Sequence, residues 1–323
     1  MKKAIILSIL FLLFGSILAG CSEKKETNKD NGKITVYTTV YPLQYFTERI
    51  AGNLVSVESI YPPGADEHTF EPSQRDMMNI ADAEVFFYIG LGLEGFVEKS
   101  KTTLKNEGVD FISVGDKLHI EESGHESEEE SNHESEEENS DEEHHHNHGD
   151  IDPHVWLDPI YAKDLAVAIK EELVTKLPAE KELLEENLQL LVNDLETLHT
   201  SFQSTIESAT HKEVIVSHAA FGYWEKRYGL KQINISGVSS ATEPSQKDLE
   251  EIVKIAKEKN LKYILFEQNV SSKLGEIIQE ELGAKSLPLH NLATLTEENV
   301  QNQETYFSLM NQNVESLKSA LNE

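Results

Sequence analysis

Apolar positions in this chain recur with two periods, and the periods alternate. Short β-rich runs at Ile34-Thr35-Val36-Tyr37, Val55 to Tyr61, Val85 to Ile89 and Phe111 to Val114 are separated by helical patterns. Those patterns run from Leu43 to Ala51, Ser73 to Ala81 and Glu94 to Asn106. A second block repeats the arrangement. Its strands are expected at Val214 to Ser217, Lys231 to Ile235, Tyr263 to Phe266 and Ala284 to Leu287. Its helices are expected near Phe221 to Arg227, Gln246 to Glu258, Lys273 to Leu282 and Gln303 to Leu321. Strands separated by helix-length patterns predict mostly parallel sheets built from βαβ units.

Between the blocks, residues 160–209 are helical almost throughout. Leu165, Ile169, Leu173 and Leu177 stand four apart, and Leu184, Leu188, Leu191, Leu195 and Leu198 follow three or four apart. Pro178 divides this stretch, because the residue before a proline does not readily stay helical. The expected fold is therefore α/β: an N-terminal lobe over 34–159, a helical connector over 160–209 and a C-terminal lobe over 210–323. A short repeat supports two lobes. Glu71-Pro72-Ser73-Gln74 recurs as Glu243-Pro244-Ser245-Gln246, each time before a helix, with Asp76 and Asp248 three residues after the serine. That is an N-cap serine with a capping-box partner.

The first twenty residues stand apart from this pattern. Lys2 and Lys3 precede an apolar run from Ala4 to Phe14, then small residues and Cys21. This is the layout of a secretory signal peptide over 1–20, too short and wrongly flanked for a spanning helix. Cys21 is the sole cysteine, so no disulfide forms within one copy. Leu18-Ala19-Gly20-Cys21 resembles the lipobox of bacterial lipoproteins, which implies that Cys21 carries the lipid anchor. Each buried acyl methylene adds about 0.8 kcal/mol of membrane affinity, so several chains hold firmly. Residues 21–33 would be the tether, and the body would lie on the extracytoplasmic face of the cell membrane.

Charge narrows the partners. The chain of 323 residues carries −30, which argues against nucleic acid or an anionic lipid surface. Fourteen of the acids fall within residues 119–150, where there is no lysine or arginine, leaving −16 for the rest. The segment 120–150 lacks apolar periodicity and ends in His144-His145-His146-Asn147-His148. Such a composition cannot bury enough surface to offset its ordering entropy, so a disordered loop is expected. His144, His145, His146 and His148 would form an auxiliary, weak metal-binding tract, dispensable for tight binding.

Six histidines lie outside residues 119–150. His68 follows a predicted strand, His154 stands between the acidic segment and the connector, and His218 ends the strand that starts at Val214. In parallel sheets ligands bind beyond the carboxyl ends of strands, where His68 and His218 would face a cleft. Imidazole is a borderline-soft donor suited to Zn²⁺, and three of them leave one tetrahedral position open. His199, His211 and His290 read by default as surface or capping residues. Spacing alone leaves the triad as one reading among others, since ligands so far apart form no local motif.

Three motifs carry a wider resemblance: Gly64-Ala65-Asp66-Glu67-His68, Asp152-Pro153-His154-Val155-Trp156-Leu157-Asp158-Pro159 and Ser217-His218-Ala219-Ala220-Phe221-Gly222-Tyr223. With the histidine-rich insertion, they make the chain resemble the cluster A-I metal-binding lipoproteins, the zinc-binding subunits of bacterial ABC importers. The resemblance spans nearly the whole mature chain. It implies two (β/α) lobes joined by a rigid helix, and one metal between them held by His68, His154 and His218. It also implies a permease partner with a cytoplasmic ATPase, and the chain itself is expected to be a monomer. Many relatives add an acid in the segment that here reads Leu289-His290-Asn291-Leu292-Ala293-Thr294, and Ala293 takes its place. Water would complete the shell with Glu67 nearby; Glu67 itself or His290 are the alternatives.

The expected activity is zinc capture and delivery, with no catalysis. Affinity should fall as pH drops through about 6.5, because ligation needs neutral imidazole. A helical connector predicts small lobe movement on binding. Two rivals stand beside this reading. A zinc hydrolase can also use three histidines and a water, although no His-Glu-x-x-His helix is present. A surface adhesin could use zinc structurally.

Overall fold

The computed structural model describes residues 33–120, 151–238, 244–268 and 273–323. The expected signal peptide, Cys21, nearly all of the expected tether, the tract His144 to His148 and Glu243 of the short repeat lie outside the described residues.

The strands are β1 Ile34–Thr38, β2 Val55–Ser59, β3 Val85–Tyr88, β4 Asp110–Ser113, β5 Glu213–His218, β6 Lys231–Ser236, β7 Tyr263–Phe266 and β8 Lys285–Pro288. They form two parallel four-stranded sheets with the same order, β2-β1-β3-β4 and β6-β5-β7-β8. The sequence places all eight, with ends displaced by one or two residues. Every residue of β3 is buried, as an inner strand covered on both faces requires.

The connector is two helices, Pro159–Lys176 and Lys181–Glu207, split by a 3-10 turn at Pro178–Glu180. Pro159 opens the first at N1, where its missing N–H costs nothing, and Asp158 caps it by accepting from Ile160 N at 2.8 Å. Leu165, Ile169, Leu173, Leu184, Leu188, Leu191, Leu195 and Leu198 are all buried, so the leucine stripe faces the core. That core is continuous through the first sheet, the connector and the inner side of the second sheet. A smaller cluster around Ile215, Ile235, Ile252, Ile264 and Ile278 lies beneath helices Gln246–Glu258 and Lys273–Leu282. Among the described residues no helix is long and apolar enough to cross a membrane.

The short repeat marks equivalent places. Ser73 and Ser245 each close a capping box, with Asp76 and Asp248, on the helix that follows the edge strands β2 and β6. Other helical ends differ from expectation. The helix placed at Glu94 to Asn106 is Val97–Leu104, because Glu94 is drawn inward instead. The sequence also misses the short helix Glu297–Gln301, which is set by a Thr296–Asn299 capping box rather than by apolar periodicity.

Because strand order reverses at β1 and β3, and again at β5 and β7, each sheet has one crevice at its carboxyl end. In the first sheet Glu94 occupies it. Its carboxylate accepts from Thr39 Oγ1 at 2.8 Å, Ile89 N at 2.8 Å and Gly90 N at 2.9 Å. Gly90 has φ 78°, and a Cβ there would meet Ser113 Oγ at 2.2 Å, so the turn that presents these N–H groups needs glycine.

Candidate metal centre

The corresponding crevice of the second sheet holds His218, the last residue of β5, and Glu267, which directly follows β7. His68 and His154 reach it from loops built alike. In each, an aspartate two residues ahead accepts from the histidine N–H: Asp66 Oδ1 from His68 at 2.9 Å and Asp152 Oδ1 from His154 at 3.0 Å. These Asx turns fix the backbone of both loops. Trp156, fully buried, ties the second loop across the molecule by donating from Nε1 to Asn291 O at 2.6 Å.

The three imidazoles converge. Their ligating atoms all lie within 4.8 Å of one another, and no other such group of three occurs among the described residues. His68 Nε2 and His154 Nε2 are 3.2 Å apart. Two ligands on a tetrahedral zinc with Zn–N arms of 2.0–2.1 Å stand about 3.3–3.4 Å apart, so this pair is already spaced for a shared ion. The rings cross steeply, with interplanar angles of 65°, 88° and 76°. Edges rather than faces therefore point at the common centre.

Two of the rings are oriented from behind. Asp152 Oδ1 lies 2.7 Å from His154 Nδ1, and Glu267 Oε1 lies 2.8 Å from His218 Nδ1. A carboxylate on Nδ1 fixes that nitrogen as an N–H; in His154 this leaves Nε2 with the free lone pair, whereas the His218 Nε2 also faces an acceptor, so that ring carries both protons and must give one up to ligate. His218 Nε2 sits 2.6 Å from the Val238 carbonyl.

Electrostatics separate the histidines. Burial, then the neighbouring His154 and His218, pushes His68 down to about 4, so it is neutral at physiological pH. Burial would lower His218 too, but the hydrogen bond and charge of Glu267 and the Val238 carbonyl outweigh it and raise the imidazole to about 9. Glu67 is buried and rises to about 7 by desolvation, which the charge of Glu267 reinforces and that of His154 opposes. Its Oε1 stands 3.8 Å from His68 Nε2 and 3.9 Å from His154 Nε2.

The structure thus brings together His68, His154 and His218, with Glu67 beside them. His290 is not in the group. The default reading of it as a surface residue is corrected: it is 5% exposed, its main chain is clasped by Asn313, and its Nε2 is buried without a partner. Of the other two, His199 pairs with Tyr228 OH at 3.0 Å, and His211 is half-buried near Glu213. Ala293 is fully buried, and its methyl offers no ligand.

Sequence reasoning missed Glu267, Asp152 and Asn291. The strand-end rule that singled out His218 applies equally to Glu267 after Tyr263 to Phe266. Asp152 was visible as the counterpart of Asp66, two residues before a histidine. Asn291 gave no signal, because its partners lie 24 and 224 residues away.

Residues 36–320 match the family described as zinc-uptake complex component A, periplasmic. The chain is 35% identical over 326 residues to the zinc-binding lipoprotein AdcA of Streptococcus pneumoniae, covering 98% of this chain and 61% of AdcA. It therefore spans about three fifths of that relative. It is also 35% identical over 308 residues to the high-affinity zinc uptake system protein ZnuA of Bacillus subtilis, covering 94% of each. Among solved structures, the Zn(II)-bound ZnuA-like domain of Streptococcus pneumoniae AdcA is similar, with TM-score 0.73 and 32% identity, covering 90% of this chain and all of that one.

Proposed function

The chain belongs to the zinc-uptake complex component A family, and from that premise we propose that it captures Zn²⁺ outside the cytoplasm and delivers it to an ABC permease. The family is one of solute-binding components, so the chain is a binding protein rather than a hydrolase. Zinc is the cargo. The observation that carries this reading is the convergence of three imidazoles, two of them fully buried and each backed by a carboxylate.

In this reading His68, His154 and His218 bind the ion through Nε2. Nitrogen donors favour zinc over manganese, which prefers oxygen. Water takes the fourth position, with Glu67 next to it in place of the acid that Ala293 lacks. The holo-protein then docks on the permease, whose ATPase lies on the inner side, while Cys21 holds the body at the membrane. The histidine-rich segment gathers zinc nearby and is not needed for tight binding.

The test is chelator-competition titration of a chain lacking residues 120–150. That protein should bind zinc as tightly as the full chain. Replacing His68, His154 and His218 together with alanine in it should abolish tight binding. Retained affinity would overturn the site. Deleting the gene should create a zinc requirement in chelated medium, which loss of an adhesin would not.

A further inference from the structure

Asn291 joins the two halves at the site. Its Oδ1 accepts from Ala293 N at 3.0 Å, which settles the orientation of the amide. Nδ2 must then face the opposite way. There it donates to Glu67 Oε1 at 2.9 Å and to Glu267 Oε2 at 2.9 Å. Both donors of one buried amide are thus spent on two buried carboxylates, one from each half.

The two carboxylates depend on this amide unequally. Glu267 is also held by His218 Nδ1, and its backbone N–H donates to Ser217 Oγ at 3.2 Å. Its place is fixed without Asn291. Glu67 lies on the loop before His68, and Asn291 pulls its Oε1 away from the ring nitrogens. At 3.8 and 3.9 Å from the two Nε2 atoms, that oxygen is about half an ångström beyond the ligand–ligand spacing of a tetrahedral zinc. A small movement would bring it into coordination.

We infer that Asn291 is a positioning residue that holds Glu67 off the bound ion, keeping the donor set at three nitrogens and a water and thereby setting the preference for zinc over manganese. This rests on the three-histidine reading of the site. With the amide in place, Glu67 accepts a hydrogen bond from the water on the ion. Without it, the carboxylate becomes a fourth ligand. An anionic oxygen donor improves the site for manganese more than for zinc. The device belongs to this chain's own combination of Asn291, Glu67 and a ligand-free Ala293.

The test compares the full-length protein with Asn291→Ala, Glu67→Gln and the double variant. Zinc and manganese affinities are measured by chelator competition, and the visible spectrum of the Co²⁺-loaded proteins reports coordination. Asn291→Ala should lower the zinc-to-manganese affinity ratio at least tenfold and change the Co²⁺ spectrum. Glu67→Gln alone should weaken both metals alike, because the water on the ion loses its charged acceptor, and the double variant should keep the zinc-to-manganese ratio and Co²⁺ spectrum of Glu67→Gln rather than those of Asn291→Ala. Asn291→Asp keeps the bond from Ala293 N but repels Glu67, and it should shift the ratio in the same direction; it serves if the alanine variant does not fold. An unchanged ratio and spectrum, or a shift that persists in the double variant, would overturn the proposal. The alanine triad in the wild-type background separates the two levels. Should it bind zinc undiminished, the site reading fails, whatever Asn291 does.

Discussion

Glu267 Oε1 lies 2.8 Å from His218 Nδ1, and the opposite face of that ring meets the Val238 carbonyl at 2.6 Å. The imidazole is thus held on both edges, by a carboxylate on one and a carbonyl on the other, and carries both ring protons. Glu267→Gln removes the charge while keeping the shape. Zinc affinity should fall roughly 10–100-fold, the usual effect of losing such an outer partner. Titration against a chelator of known affinity measures it, and an unchanged constant would show that His218 is not oriented by Glu267.

Proton release follows from the same pair. His218 rises to about 9, whereas His68 falls to about 4. Under the proposed ligation, zinc binding at pH 7.5 should therefore displace a proton from His218 and none from His68. Affinity should climb with pH up to about 9, losing about tenfold per unit below it. This moves the inflection above the 6.5 expected of ordinary histidines. Calorimetry in non-chelating buffers of different ionisation enthalpy should find about one proton released per zinc; a value near zero would contradict the assignment.

Gly222 backs the other orienting carboxylate. A Cβ at Gly222 would lie 2.8 Å from Asp152 Oδ2, with no close backbone neighbour. Asp152 is the flexible party, so Gly222→Ala should change thermal stability by no more than about 1 kcal/mol. It should still displace the acid that orients His154 and weaken zinc binding about tenfold. Tight binding in a fully folded Gly222→Ala protein would mean that Asp152 does not position His154.

Glu94 offers a stability test away from the metal. Burial lifts its carboxyl from the ordinary 4.5 to about 7, against hydrogen bonds from Ile89, Thr39 and Gly90 that lower it. Between these values the folded state keeps a proton that the unfolded chain has released. Stability from this group is therefore full below about 4.5 and lost as pH rises through about 7, by a total on the order of 3 kcal/mol. His218 acts in the same direction at higher pH. Denaturant unfolding of metal-free wild type and Glu94→Gln at pH 5 and 7.5 should show a smaller pH-dependent loss in the variant. Equal losses would rule out the buried acid as the source.

Much of the fold was legible in the sequence, because alternating β-rich runs and leucine stripes report directly on which face is buried. All eight strands and the Pro178 break follow from that pattern. The histidines of the site were legible only as separate loop residues; their convergence depends on how the two sheets face each other, which no local spacing encodes. Asn291 shows the limit most clearly. It sits in a stretch without periodicity, and its meaning lies in Glu67, 224 residues earlier. His290 misled for a related reason. A polar residue in a loop reads as exposed, yet the Asn313 side chain satisfies its backbone and allows it to sink inward.

Two sheets of identical strand order would be expected to give two equivalent ion pockets and a loading of two per molecule. Glu94 prevents this. By placing its own carboxylate on the N–H groups at the crevice of the first sheet, the protein plugs that half from within. The other crevice, where His218 meets His68 and His154 from loops of the first half, is left for cargo, so saturation of the tight site should come at a single equivalent.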